Sequence, residues 1–431
     1  MRYTPSSQDE RHQMLEFLGL KETDDLYSDL PEEVLLCNSL KIGNGMSEQE
    51  LASHIKSVAS QNKIKTSFLG AGYYRHYIPS AVNHITLRSE FYTAYTPYQA
   101  EVSQGVLQAL FEYQSTICEL TGQEVSNASM YDGSTALAEA CVMAHRITKR
   151  DEILVSETLH PHYLRVLKTY CNAGDLKLSI VGSEDGTSEN IMASDKTAAV
   201  VVQTPNFFGV IEESDTIFEM AKKKGAVSIA CTTEATSLGL IEPAHADITC
   251  GEGQALGNPV SFGGPAFGFL ATKMEYVRQM PGRLVGETVD SDGKRAYALT
   301  LQAREQHIRR EKATSNICTS QSLCAIAATA YLALIGPKGF RNTALNSHKN
   351  AVYLCEKISE IDGFERVFDK PFYNEFLLKC PKGTYDKIIK AGFEPGYDVS
   401  KDRVNLGGCM LFASTELHTK DELDTLVEAL K

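Results

Sequence analysis

The sequence predicts an α/β fold, with a mostly parallel sheet in a large domain and a smaller α+β domain after it. From about residue 106, short apolar strands alternate with amphipathic helices, an order typical of a parallel sheet covered on both faces. Near residues 316–340 the pattern changes to mixed short strands and helices, whereas the first sixty-odd residues are polar and helical throughout. We therefore predict an arm over 1–65, a large domain over 66–320 and a small domain over 321–431.

The predicted elements follow one another at the spacing of strand–helix units. One amphipathic helix ends at Gly122, and a second is entered through the turn YDGST (131–135). Two further helices are predicted at HPHYLRVLKTYCNAG (160–174) and DTIFEMAKKKG (215–225). Strands are predicted at EILVS (152–156), LKLSIVG (176–182), AAVVVQTP (198–205), AVSIACTT (226–233), ADITCGEG (246–253) and FGFLAT (267–272).

Composition excludes several classes of protein. The net charge of −13 argues against a nucleic-acid-binding or anionic-membrane-binding surface, because both require clustered Lys and Arg. The 11 cysteines are scattered singly without a CxxC pair, which indicates reduced thiols packed in a core. A cysteine nucleophile stays open as the minor alternative.

The N-terminal segment is predicted to be an arm. Residues 47–50, SEQE, form a Ser-x-x-Glu capping box ahead of LASHIKSVA. The arm would pack either on a partner's surface or on the chain's own larger domain. The polar start MRYTPSSQDERHQ does not resemble a signal sequence, and we find no apolar run near the roughly 20 residues that span a bilayer. We expect a cytoplasmic protein.

A tyrosine-rich stretch separates the arm from the regular part of the chain. Six tyrosines lie within residues 73–98, while Pro79 and Pro97 enforce loops. Tyrosine combines a rigid apolar face with a hydroxyl group, which suits interfaces and narrow channels.

An arm, a large sheet domain and a small α+β domain, in this order, resemble the aminotransferase-like architecture of fold-type I pyridoxal phosphate (PLP) enzymes. Fold alone does not give function. That chemistry uses a Gly/Ser/Thr turn for the phosphate, an aromatic for the ring face, an acidic residue for the pyridinium and a lysine for covalent attachment.

Two of these groups have counterparts here. Asp132-Gly133-Ser134-Thr135 opens a helix, so Ser134 and Thr135 are candidates for holding a phosphate, and a simple N-cap is the equal alternative. The acidic residue should follow the strand AVSIACTT, where Glu234 is the only acid. A solvated loop glutamate is the favoured interpretation of Glu234.

The lysine is missing. No lysine occurs between Lys224 and Lys273, and Gln254 lies near the place where the amine is required. An amide cannot form the covalent link. Lys273, after the strand FGFLAT, is interpreted as a solvated strand-end lysine. The chain is therefore predicted not to hold PLP covalently.

Long motifs resemble the glycine decarboxylase P-protein family, and in particular its separate α-type chain. They are FLGAGYYRHYIPSAV, FYTAYTPYQAEVSQGVLQALFEYQSTICELTG, SNASMYDGSTALAEA, GEGQALGNPVSFGGPAFGFLAT and REKATSNICTSQSL. The resemblance implies that PLP is held by a lysine of a homologous β-type partner. It also implies an αβ pair, doubled to α₂β₂, that decarboxylates glycine and passes the aminomethyl group to the lipoyl arm of H-protein.

Within the tyrosine-rich stretch, YTPYQ (95–99) is the segment most similar to the family. Tyr95, Tyr98 and Gln99 are candidates for an active-site wall, with simple interface packing as the equal alternative. Further candidates are Arg75, His76 and Arg88, and Arg310, Thr314, Ser315 and Asn316 in REKATSNICT, for which helix initiation is the alternative. Two other hypotheses stay open: a structural or regulatory partner of the β chain, and an independent PLP enzyme using Lys273.

Overall fold

The computed structural model describes residues 6–36 and 40–431, and Cys37 lies outside them. These residues form two compact units, one comprising 6–36 and 40–64 and the other 65–431. The further division of the second unit at residue 320 stays a prediction.

The first unit contains two capped helices, α1 (Gln8–Leu18) and α2 (Glu48–Ala59). Ser7 and Glu10 form a capping box on α1, and Ser47 and Glu50 form the predicted one on α2. No residue among 6–36 and 40–64 is buried, so these helices are held by capping and not by a core of their own.

The second unit is built around the predicted alternation of strands and helices. Asp132 caps the helix predicted after YDGST, and Gly122, in a left-handed conformation, ends the helix before it. The first elements of this unit are α3 (Ser80–Thr86), α4 (Ser89–Tyr92), α5 (Gln104–Thr121), β1 (Val125–Ser126), α6 (Gly133–Thr148), β2 (Glu152–Ser156), α7 (Pro161–Ala173), β3 (Lys177–Val181), β4 (Thr197–Gln203), α8 (Ser214–Lys223), β5 (Val227–Thr232), β6 (Ile248–Glu252) and β7 (Gly268–Thr272).

Within the described residues these strands form a seven-stranded sheet in the order β1-β7-β6-β5-β4-β2-β3. Strands β2 to β6 are parallel, and β7 runs antiparallel to β6. The predicted mostly parallel sheet is confirmed. Every residue of β4, β5 and β6 is buried, as expected for strands covered on both faces.

The remaining elements form a hairpin and a second, smaller sheet. The antiparallel sheet has the order β10-β11-β13-β12, as the predicted α+β organisation requires. The elements are β8 (Val285–Val289), β9 (Arg295–Leu299), α9 (Gln306–Arg309), α10 (Ser322–Ser359), β10 (Glu365–Arg366), β11 (Glu375–Lys379), α11 (Thr384–Lys390), β12 (Tyr397–Asp398), β13 (Cys409–Ala413) and α12 (Lys420–Leu430).

Helix α10 is broken at Gly336, whose φ of 62° and ψ of 178° are not helical, immediately before Pro337. Among the described residues it is the one helix that is long and apolar enough to cross a membrane, judged by length and composition alone. The sequence-based expectation that no such apolar stretch exists was therefore wrong. Cys324, Ala325, Ala327, Ala328, Tyr331 and Phe340 lie in the core beside α5, whereas Ala351, Leu354 and Ile358 lie in the core beside the small sheet. Packing in two cores accounts for part of the apolar composition, since 39% of the most apolar window is buried.

Candidate functional site

The carboxyl ends of strands β4, β5 and β6 lie next to the amino end of α6. In α/β proteins, ligands bind in the crevice outside the carboxyl ends of the parallel strands. The segments 132–135, 233–236 and 252–258 lie here, together with the tyrosine-rich residues 70–76. We call this region the strand-end site.

Gln254, near the place that the sequence predicts for a cofactor-binding lysine, is a buried structural group. Its side chain is 2% exposed, accepts a hydrogen bond from the Tyr74 amide at 3.1 Å and donates to the Asn258 carbonyl at 2.7 Å. Gln254 therefore ties the tyrosine-rich stretch to the loop after β6.

Lys273 lies near the amino ends of the parallel strands, at the end of the sheet opposite the strand-end site. The antiparallel register places Thr272 beside Ile248 and Gly268 beside Glu252. At about 3.3 Å per residue, Lys273 is roughly 16 Å along β6 from the level of Glu252. Its ammonium group is paired with the Asp247 carboxylate and is one-third exposed. It is a strand-end lysine, as predicted, but an ion-paired one that cannot serve the strand-end site.

The start of α6 is bonded within the chain. The Asp132 carboxylate accepts hydrogen bonds from the Ser134 hydroxyl (2.5 Å), the Thr135 hydroxyl (3.0 Å) and the Thr135 amide (2.8 Å). The N-cap alternative describes this geometry, and binding of a phosphate by Ser134 and Thr135 stays untested.

Glu252 also forms hydrogen bonds at this helix end, a role that was not predicted from the sequence. Its carboxyl accepts hydrogen bonds from the Gly133 amide (3.0 Å) and the Gln254 amide (3.1 Å), and the residue is 2% exposed. Burial, with the nearby charge of Asp132, raises the pKa of Glu252 to about 8 despite the hydrogen bonds from backbone amides, which lower it. The sequence feature that could have identified Glu252 is an acidic residue at the end of a wholly buried strand.

Glu234 corrects an expectation, because it is buried and not a solvated loop residue. It is 1% exposed, and its carboxylate accepts a hydrogen bond from the Thr236 amide at 2.9 Å. Its other oxygen lies 3.4 Å from Nε2 of His76, whose Nδ1 lies 2.7 Å from the Glu416 carboxylate. Burial alone would lower the pKa of His76, but the charges and hydrogen bonds of Glu234 and Glu416 raise it to about 10. His76 is thus a buried imidazolium between two carboxylates.

A second buried carboxyl group anchors the tyrosine-rich stretch. Glu375 accepts hydrogen bonds from the Tyr74 hydroxyl and the Ala71 amide, both at 2.7 Å. Burial raises the pKa of Glu375 to about 7. Together with His76 and Gln254, this contact fixes residues 70–76 over the strand-end site.

The YTPYQ segment presents its tyrosines on the surface. Tyr95 is 77% exposed and Tyr98 is 46% exposed, with ring centroids 6.4 Å apart, and Gln99 is exposed. Arg283, buried beneath them, donates to the Tyr98 hydroxyl at 2.7 Å and lies 4.8 Å from the ring centroid. Tyr98 is therefore held in place, whereas the Tyr95 ring is free to meet another surface.

The other predicted candidates are dispersed. Arg75 is exposed, and Arg88 forms an exposed ion pair with Glu90. In REKATSNICT, Arg310 is exposed with a φ of 53° and Asn316 is exposed.

The two hydroxyl residues of this motif are partly buried and bonded within the chain. Thr314 donates to the Arg304 carbonyl, and the Ser315 hydroxyl accepts from the Ile317 amide. Helix α10 begins only at Ser322, so helix initiation by residues 310–319 is wrong.

Comparison with known proteins decides the family. The protein-family model described as glycine cleavage system P-protein matches residues 1–430 of this chain. This chain belongs to the P-protein family. The probable glycine dehydrogenase (decarboxylating) subunit 1 of Desulforamulus reducens is 48% identical over 443 aligned residues, covering 100% of this chain and 99% of that relative. The corresponding protein of Carboxydothermus hydrogenoformans is also 48% identical with the same coverage.

Solved structures confirm the fold class. A crystal structure of glycine decarboxylase (P-protein) of the glycine cleavage system, in inhibitor-bound form, matches with a TM-score of 0.91 and 44% identity, covering 100% of this chain and 99% of that one. Glutamate decarboxylase of Lactobacillus brevis matches with a TM-score of 0.66 at 13% identity, which bears on the fold alone. The P-protein chain thus has the fold of fold-type I PLP enzymes, as its sequence predicts.

The residues of this P-protein chain do not fit covalently bound PLP. Gln254, near the place that the sequence predicts for the lysine, carries an amide that cannot form the covalent link, and the donors at the start of α6 already bond to Asp132 and Glu252. Among the described residues 6–36 and 40–431, groups of His, Cys, Asp and Glu that could hold a metal ion are also absent.

Proposed function

We propose that this chain is the α-type subunit of a two-chain glycine decarboxylase. With a β-type partner, it decarboxylates glycine and transfers the aminomethyl group to the lipoyl group of H-protein, the activity named glycine dehydrogenase (aminomethyl-transferring). The working unit is an αβ pair doubled to α₂β₂ in the cytoplasm, and this chain alone is inactive.

The observation that carries the proposal is the strand-end site. Gln254 cannot form a covalent link to PLP, and Lys273 lies at the wrong end of the sheet. A chain of this family with such a site needs a second chain for the chemistry. Relatives named subunit 1, matched over their full length, support the same division. PLP, bound covalently by the partner's lysine, supplies the electron sink that decarboxylation requires.

This chain's own contribution is to close the partner's reaction site. Tyr95, Tyr98 and Gln99 form an exposed wall, and the buried guanidinium of Arg283 fixes the orientation of Tyr98. Such a wall excludes water and presents hydroxyl dipoles in fixed positions, which stabilises developing charge more than mobile water does.

Borohydride reduction tests the division of labour. The chain is incubated with PLP and borohydride, alone and then with its β-type partner, and the products are mapped by mass spectrometry. We expect label at one specific lysine of the partner, with glycine-dependent CO₂ exchange only in the mixture. Specific label on Lys273 together with exchange by this chain alone would instead establish an independent PLP enzyme.

Conservative changes at the tyrosines test the wall. We expect Tyr95→Phe and Tyr98→Phe each to lower kcat/KM of the assembled complex about tenfold, because each removes a hydroxyl dipole from the site. Tyr98→Phe also loses its hydrogen bond with Arg283, so the free energy of unfolding should fall by about 1 kcal/mol.

Tyr92→Phe, on a tyrosine that is 60% exposed in the same stretch, is the matched control and should retain full activity. If the complex assembles normally and turns over at the full rate with both Tyr95 and Tyr98 changed, this chain is a structural partner that stabilises the β chain or docks H-protein.

A further inference from the structure

The amino end of α6 combines the features of an oxyanion site with internal occupants. A helix of 16 residues begins here, and the first backbone N–H groups of a helix favour a negative charge. Three donors of the first turn, the Thr135 amide and the Ser134 and Thr135 hydroxyls, bond to Asp132, and the Gly133 amide bonds to Glu252.

An unsatisfied hydroxyl group also points to this helix end. Tyr163 is 7% exposed, and its hydroxyl has no hydrogen-bond partner in the described part of the chain. A Cβ atom on Gly133 would stand 2.0 Å from this hydroxyl oxygen and 2.7 Å from the Glu252 backbone nitrogen. A buried polar group without a partner is unusual and marks a place where a polar ligand would be stabilised.

We propose that Glu252 and Asp132 close a remnant oxyanion site in this chain, because their carboxyl oxygens take up the N–H and O–H groups that would otherwise bind the phosphate of a pyridoxal-type cofactor. The proposal deepens the proposed function, since it names the residues that keep the cofactor on the partner chain. Loss of the lysine removes only the covalent link, whereas these two carboxyl groups also remove the phosphate site.

Charge and space both support the closure. A phosphate at this helix end would be repelled by the Asp132 carboxylate and would have to displace the hydrogen bonds that Asp132 and Glu252 accept. The Tyr163 hydroxyl and the Glu252 backbone nitrogen crowd Gly133, and Gly268 approaches so closely that a Cβ atom on it would stand 2.1 Å from the Asp132 carbonyl oxygen. Tyr73 also lies near both acids, and burial together with their charges raises its pKa. Removing the acids would leave a partly buried cluster of donors without acceptors, which is unfavourable unless an anion or water takes their place.

The double variant Asp132→Ser/Glu252→Ala tests this proposal. Serine keeps a good N-cap residue on α6, and alanine removes the carboxyl group beside Gly133. Inorganic phosphate and pyridoxine 5′-phosphate, which lacks a reactive aldehyde, are titrated calorimetrically into the full-length chain. Unfolding midpoints are compared in phosphate and in chloride of equal ionic strength. Glu212→Gln is the matched control, because Glu212 is a buried acid bonded to Ser188 and Asn206 elsewhere in the unit.

We expect the double variant to bind both phosphates at least about tenfold more tightly than the wild-type chain does, with phosphate raising the midpoint of this variant alone. Equal affinity in the wild type, or an equal gain in Glu212→Gln, would overturn the proposal. If the double variant is unfolded in chloride, folding in phosphate supports the proposal, and failure to fold in phosphate contradicts it. Because the test uses this chain alone, its failure leaves the labelling and CO₂-exchange tests with the partner unaffected.

Discussion

Arg283→Leu is expected to lower the free energy of unfolding by about 3–5 kcal/mol, because it leaves the buried carboxyl group of Glu305 without its closest cation. Arg283 is 1% exposed and forms an ion pair with Glu305, which is 6% exposed. It also donates to the Tyr98 hydroxyl at 2.7 Å and the Cys318 carbonyl at 2.5 Å. Leucine cannot replace any of these contacts. Chemical denaturation followed by circular dichroism measures the change.

The pair can be separated from its individual members by a double-mutant cycle. Adding Glu305→Leu to Arg283→Leu removes the stranded carboxylate and should restore roughly 1–3 kcal/mol. Arg278→Leu, on an exposed arginine nearby, is the matched control and should change stability by less than about 0.5 kcal/mol. Strictly additive effects of the two changes would show that the ion pair does not link these residues energetically.

His76→Gln is expected to cost on the order of 3–5 kcal/mol near neutral pH and to reduce the fall of stability between about pH 6.5 and pH 10. The pKa of folded His76, about 10, lies above its ordinary value of 6.5, so protonation stabilises the fold. This contribution is complete below pH 6.5 and is lost as pH rises to about 10. Unfolding midpoints from pH 5 to 10 measure it.

Two buried acids, Glu252 and Glu375, also determine how stability changes with pH below about pH 8. The raised pKa values of Glu252, about 8, and Glu375, about 7, also mean that stability falls as pH rises, but from the ordinary value of 4.5. The His76→Gln variant should therefore keep the wild-type slope below pH 6.5 and show a weaker slope than the wild type from there to about pH 10. His84→Gln, on an exposed histidine, should reproduce the wild-type profile. An unchanged slope above pH 8 in His76→Gln would exclude a buried imidazolium.

The sequence predicted those features that depend on neighbouring residues. Alternating apolar segments placed the strands of the large sheet, and the Asp132 turn and the Ser47–Glu50 box marked helix starts, because capping acts over three residues. The missing lysine was also visible, since its place is defined by the strand before it.

The buried charges could not be predicted in the same way. His76 meets Glu234 and Glu416 across 158 and 340 residues of chain, and Arg283 meets Tyr98 across 185. Whether Glu234 is solvated or buried depends on these distant partners and not on its own loop. The role of Glu252 needed both the helix end and the strand end in place.

The break in α10 has a consequence for how the molecule melts. The segment before Gly336 packs in the core beside α5, whereas the segment after it contributes Phe340 to that core and then enters the core beside the small sheet. If one side loses its packing, the other loses the anchor that orients it. Residues 65–431 should therefore behave as a single cooperative foldon, in which amides on both sides of the break exchange with solvent at similar opening free energies.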